Sequence, residues 1–170
     1  LGLRSYLFDE FGEGLSAGAR RNLAAASDYV ARAVRDGSLA GKAVDPTDGR
    51  LTYVNCGHNP PLLLRASGGT ESLQRGGPAL GLFATVAFEA GTVDLEHGDR
   101  LVLYTDGVVE PTDDEDREFG TERLATAVRE ATGRPAAEAL RRVIDATRAF
   151  GGRDDYGDDF TLVIVQRGTD

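Results

Sequence analysis

The chain carries one cysteine, Cys56, in 170 residues. A lone thiol excludes an internal disulfide and a zinc cage of cysteines, and it fits a reducing cytoplasm. Long apolar runs are missing too. No stretch approaches the roughly 20 residues that a membrane-spanning helix needs, so membrane insertion is not expected. Basic residues are outnumbered, 19 Lys and Arg against 28 Asp and Glu, which leaves a formal charge of −9. That sign makes a nucleic-acid backbone or an anionic bilayer a poor partner. Internal repeats and low-complexity tails are absent as well. What is present, 41% hydrophobic and 28% charged residues, is ordinary for a globular protein, and the length suffices to bury one core. The first residue is Leu1 and not Met, so the sequence is expected to be a piece of a longer chain.

Hydrophobic periodicity places the elements. Arg4 to Phe8 alternates as a short strand that ends on Asp9. A helix is predicted from about Ser16 to Arg35, with Ser16 as N-cap and Leu23, Ala26, Val30, Ala33 and Val34 on one face. "VDPTDGRLTYVNCGH" reads as a hairpin turned at Pro46 and Gly49, with Leu51, Tyr53 and Asn55 on one strand face. Pro61 to Arg65 and Glu71 to Gln74 form two further strands joined at "ASGGT". "FEAGTVDLEHGDRLVLYTD" gives a strand, a turn at His97-Gly98-Asp99, and a core strand. Two helices follow, one marked by Phe119, Leu124, Ala127, Val128 and Ala131, the other by Leu140, Val143, Ile144, Thr147 and Phe150. "DDFTLVIVQR" closes the chain as a loop running into a terminal strand. Strands outnumber helices and hairpins dominate, so an α+β fold with largely antiparallel sheets is expected.

In "LVLYTDGVVE" (101–110) the apolar run is too short and too rich in β-formers for a helix. Asp106 sits where the chain leaves that strand, and Gly107 permits a turn or a close backbone approach. Asp9 ends the first strand and Asp158 precedes the last, each next to a second acid, Glu10 and Asp159. If these ends converge, the carboxylates repel one another and must hold protons or cations. An all-oxygen set without His or Cys suits Mg²⁺ or Mn²⁺. The other reading is three unrelated loop acids in a chain that has 28 acids to scatter. Spacing alone leaves both open.

"YLFDEFGEGLSAG", "RLTYVNCGHNPPLLLR", "GDRLVLYTDGVVEPTDDEDREFGTERL" and "DDFTLVIVQR" resemble, in order, the blocks of the SpoIIE-type bacterial branch of the metal-dependent type-2C (PPM) serine/threonine protein phosphatases. The resemblance covers nearly all the chain from Tyr6 to Arg167. It implies one phosphatase domain over residues 1–170, built as a four-layer α-β-β-α sandwich of two mainly antiparallel sheets flanked by helices. It also implies hydrolysis of phosphoserine or phosphothreonine on a protein, an anti-sigma-factor antagonist in a bacterial regulatory pathway, with a sensor domain attached or associated. Two Mn²⁺ or Mg²⁺ ions are implied. Asp9 matches the acid that bridges them, with the Glu10 backbone carbonyl as a further ligand. Asp106 and Asp158 match the other acids, Asp159 is the neighbour of Asp158, and Thr161 matches a loop-fixing hydroxyl.

Three departures from the family pattern stand out. The family's upstream Gly-Gly-Asp block is not within the sequence. The segment from Gly37 to Val44 is shorter than the family's, as if a helix and a strand were missing there. Phe11 stands where animal relatives have a histidine. These departures keep a second reading open, a phosphatase fold that has lost part of its metal site and only docks a partner. Cys56 and His58, two residues apart, invite a Cys–His hydrolase reading. The resemblance instead makes Cys56 a small packing residue, His58 a structural hydrogen-bonding residue and Glu110 a brace for the Asp106 loop. Residues 113–118, "DDEDRE", read as a solvated acidic loop.

Overall fold

The computed structural model describes the backbone of residues 4–6 and the whole of residues 48–79, 87–152 and 159–168. The helix expected at 16–35 and the junction from Gly37 to Val44 lie outside these residues. Nine strands and three helices are present among them. They fall into two compact units.

The first unit is built on a five-stranded sheet. In chain order its strands are β1 (Arg4–Tyr6), β4 (Leu62–Leu64), β5 (Thr70–Ser72), β8 (Arg100–Tyr104) and β9 (Leu162–Gln166). Their spatial order is β1-β9-β8-β4-β5, and every neighbouring pair is antiparallel. The registers Leu62↔Val102 and Val102↔Ile164 align one row of side chains across the sheet. Leu62, Leu64, Val102, Tyr104, Leu162 and Ile164 form the apolar face that packs with the helices. Leu63 and Leu101 point the other way, because side chains alternate along a strand, and they are buried as well. A strand buried on both faces is a continuous apolar run, which explains why "LLL" shows no polar alternation, whereas in "LVLY" Leu103 is exposed.

Three helices belong to this unit: α1 (Asp106–Val109), α2 (Gly120–Arg129) and α3 (Ala136–Gly151). Leu124 and Val128 of α2, with Ala139, Leu140 and Val143 of α3, complete the core at the 3–4-residue spacing that the sequence shows. Phe119 and Phe150 meet edge to face with ring centroids 5.6 Å apart, and Arg123 lies 4.5 Å over the Phe150 ring. Gly152 ends α3 in the left-handed conformation at φ +59°, its amide bonding to the Arg148 carbonyl.

The second unit pairs β2 (Arg50–Tyr53) with β7 (Gly91–Asp94) antiparallel, and β3 (Asn55–Cys56) with β6 (Gly76–Gly77) parallel. Gly91 faces Tyr53 across the ladder, and a Cβ on it would fall 2.4 Å from the tyrosine ring. This unit corrects one expectation. The Asp48–Gly49 turn forms, with Asp48 accepting from the Arg50 amide at 2.8 Å and Gly49 at φ +78°. The strand after it is interrupted at Val54, however, so Leu51, Tyr53 and Asn55 do not share one strand face. The turn expected at His97-Gly98-Asp99 forms, the Asp99 amide bonding to the Glu96 carbonyl at 3.0 Å, and the strands on either side of it, β7 and β8, belong to different sheets. Local periodicity names strands but not their partners.

Two buried charges begin β8. Asp99 is fully buried, and its carboxylate accepts from the Ala66 amide (2.8 Å), the Glu96 amide (2.9 Å) and the Arg65 guanidinium (2.8 Å). Arg100, 4% exposed, donates to the carbonyls of Val128 (2.8 Å), Ala131 (2.6 Å) and Arg134 (2.6 Å). It thereby satisfies the chain that leaves α2. Burial pushes its pKa below the usual arginine value, against a cost that these three bonds offset. Arg100→Met should orphan the carbonyls and lower unfolding stability by about 2–4 kcal/mol. Arg50→Met removes a solvent-exposed pair with Asp94 and should cost much less. Equal denaturation midpoints for the two variants would contradict this assignment.

Candidate metal centre

β8 ends at Tyr104 opposite Leu162, the first residue of β9. One residue further the ladder continues through Thr105. Its amide donates to the Thr161 carbonyl at 3.1 Å. Its hydroxyl donates to the Asp159 carbonyl at 2.7 Å and accepts from the Thr161 amide at 2.9 Å. Thr105 is extended (φ −89°, ψ 168°), and the chain then folds directly into α1. That turn is closed by Val108 amide to Thr105 carbonyl (3.1 Å) and Glu110 amide to Asp106 carbonyl (2.9 Å). Gly107 and Val108 are buried, while the Asp106 side chain, one residue earlier, faces solvent.

β1 lies on the other side of β9, with Tyr6 opposite Ile164. Two strands each antiparallel to β9 run parallel to one another. The C-terminal ends of β1 and β8 and the N-terminal end of β9 therefore lie at one end of the sheet. Of the expected ligands, Asp106 and Asp159 are described, and Thr105 ties their two segments together. Asp9, Glu10 and Asp158 lie outside the described residues, and so does the convergence of Asp9, Asp106 and Asp158. Among the described residues no three His, Cys, Asp or Glu side chains form a cluster able to hold a metal ion.

Charge pairing distinguishes Asp106 from acids with structural work. Asp99 pairs with Arg65, Asp94 with Arg50, and Asp113 with Arg117. Among the described residues no arginine comes within ion-pairing distance of Asp106, whose Oδ1 accepts from the adjacent Gly107 amide at 3.0 Å. An exposed carboxylate of this kind, at a sheet end with a second acid on the neighbouring segment, suits a hard cation that keeps part of its water.

Several expectations need revising on these contacts. Gly107 supplies neither a positive φ nor a loop, because it lies within α1. The Glu110 amide bonds to the Asp106 carbonyl at 2.9 Å, a helical bond that does not involve its side chain. The hydroxyl that fixes the 159–161 segment belongs to Thr105, and Thr161 takes part through its amide and carbonyl. The acidic loop is ordered around Asp113, whose carboxylate accepts from the Glu115 amide (2.9 Å), the Arg117 amide (3.0 Å) and the Arg117 guanidinium (2.8 Å). The Arg117 side chain holds Asp113 below the usual carboxylate range. His58 is exposed, with Nδ1 3.2 Å from the Asn59 carbonyl. Cys56 is half-buried, and desolvation pushes its thiol up.

The family described as Stage II sporulation protein E (SpoIIE) matches residues 9–168. The chain belongs to the SpoIIE family. A phosphoserine phosphatase is among the proteins it resembles. Protein IcfG of Synechocystis sp. is 31% identical over 102 residues, covering 58% of this chain and 16% of that protein. Phosphoserine phosphatase RsbP of Bacillus subtilis is 38% identical over 69 residues, 41% of this chain and 17% of that protein. The chain thus spans a small part of the length of these relatives. The RsbU and RsbW domains of Rv1364c from Mycobacterium tuberculosis superpose with a TM-score of 0.57 at 27% identity, over 74% of this chain and 34% of that one. The PP2C domain of SpoIIE from Bacillus subtilis, solved with a fragment of its regulatory domain, gives 0.56 at 19% identity, over 72% and 35%, and shares the fold.

A raised thiol pKa means less thiolate at neutral pH than in a free cysteine. Cys56 should therefore alkylate with iodoacetamide more slowly than glutathione does at pH 7. Cys56→Ala should leave phosphatase turnover unchanged. Rapid alkylation coupled to inactivation would revive the Cys–His hydrolase reading.

Proposed function

We propose that this domain hydrolyses phosphoserine or phosphothreonine on a protein, with two Mn²⁺ or Mg²⁺ ions held by Asp9, the Glu10 carbonyl, Asp106, Asp158 and Asp159. The observation that carries the reading is the common sheet end of β1, β8 and β9, with Asp106 exposed on it and without an arginine partner among the described residues. Asp9 follows Tyr6 by three residues, within about 10 Å of chain. Asp158 is covalently joined to Asp159, whose carbonyl Thr105 holds.

When bound, such ions lower the pKa of a water and neutralise phosphoryl oxygens, so no enzyme nucleophile is required. The protein's part is to hold its carboxylates ionised and fixed. The buried Val108 anchors α1, so Asp106 leaves the sheet on a short rigid turn. Thr105 holds the facing segment against it. The half-buried Cys56, with its thiol pushed up, is unsuited to act as a competing nucleophile.

Residues 1–170 are read as one phosphatase domain with the four-layer sandwich of its family. A phosphorylated anti-sigma-factor antagonist in the cytoplasm is the substrate this reading favours. An attached or associated sensor domain is the regulator. The support is the company its relatives keep, since one neighbour carries RsbU and RsbW domains and another a regulatory domain.

The test uses the intact protein with excess Mn²⁺ and a phosphoserine protein. Asp106→Asn should abolish turnover. The metal-free variant should melt no earlier than the metal-free parent, because an amide relieves repulsion among the remaining acids. Full activity in the variant would refute the role of Asp106. A parent that binds the phosphoprotein without turning it over would establish the docking-module alternative.

A further inference from the structure

Resting on the reading above, we infer that Thr105 is a positioning residue that sets the spacing between Asp106 and the 159–161 segment, and through it the affinity of the centre for its cation. A threonine that opens a helix ordinarily turns its hydroxyl onto an amide of its own first turn. Thr105 opens α1 and makes no such bond. The amides it would cap are used otherwise, Val108 on the Thr105 carbonyl and Gly107 on Asp106 Oδ1.

A hydroxyl has one proton to give. The Asp159 carbonyl at 2.7 Å takes it, since the Thr161 carbonyl at 3.5 Å is too distant to compete. The oxygen's lone pair then receives the Thr161 amide at 2.9 Å. Donor and acceptor capacity are both spent on the neighbouring segment. With the backbone bond from the Thr105 amide to the Thr161 carbonyl, three hydrogen bonds join the residue before Asp106 to the residues that begin with Asp159. The side chain has given up its helix cap in favour of a clasp across two acid-bearing segments. Outer groups that orient ligands in this way typically govern metal affinity.

Thr105→Val keeps the shape of the side chain and removes both hydroxyl bonds, whereas Thr105→Ser keeps the hydroxyl. Mn²⁺ affinity is read on the intact protein by electron paramagnetic resonance of the free ion, and separately as the Mn²⁺ dependence of turnover. T105V should weaken Mn²⁺ binding roughly 10–100-fold, the usual effect of losing an outer-shell partner. The KM for a phosphoserine protein at saturating Mn²⁺ should not move. T105S should restore the affinity, which loss of general stability would not predict. Thr105→Ala gives the same comparison if valine prevents folding. Parental Mn²⁺ affinity in T105V or T105A, with D106N defective, would overturn the clasp and leave the metal centre standing. Parental Mn²⁺ affinity in D106N would overturn the centre itself.

Discussion

The pairing of β8 between β4 and β9 is the constraint on which the first unit depends. All five residues, Arg100 to Tyr104, pair with β9, Arg100 to Val102 pair with β4 as well, and their register decides what each face presents. A slip of one residue would turn Val102 and Tyr104 away from the helices and carry Asp106 off its present level relative to Asp159. Groups at the strand's ends hold the register. Asp99 draws three donors from two turns onto its buried carboxylate, Arg100 binds the chain leaving α2, and Thr105 closes the far end on residues 159–161. The strand that carries the candidate ligand is thus anchored at both ends.

The polar contacts divide by environment. Arg100 is buried and bonded to three carbonyls, of which those of Val128 and Ala131 are shielded from water, so its loss would leave buried groups without a partner. Arg50–Asp94 and Arg117–Glu115 lie in solvent, where screening and side-chain entropy offset most of the attraction. Asp113 is a carboxylate with a depressed pKa, so its contribution to stability is present above the usual carboxylate range. It is lost as pH falls through its lower folded-state value. Acidification should therefore loosen the 112–118 loop while leaving the apolar core beneath α2 and α3 in place.

Much of the first unit was legible in the sequence because its signals are local. The 3–4-residue spacing in α2 and α3 and the apolar runs of β4, β8 and β9 need no knowledge of partners. Pairing was not legible, since β2 finds β7 about forty residues away and β3 pairs in parallel with β6. α1 escaped notice because Asp-Gly-Val-Val is a poor helix former, and its four residues are held by Val108 and the turn around it. Within the candidate site, strand-end position and block order are what point to Asp106 and Asp159. They do not point to Thr105, because its role consists of bonds to residues more than fifty positions later. The one local hint was a threonine where a helix cap belongs, directly before Asp-Gly.

In the proposed reading the sheet end shared by β1, β8 and β9 is a divalent-cation site built on Asp106. The most direct measurement is anomalous diffraction at the manganese edge from crystals of the protein equilibrated with Mn²⁺. An anomalous peak is expected within about 2.0–2.6 Å of an Asp106 carboxylate oxygen, the ligation range of hard divalent cations. Manganese bound elsewhere with Asp106 free of it, or no anomalous peak at millimolar Mn²⁺, would rule out a cation site built on Asp106.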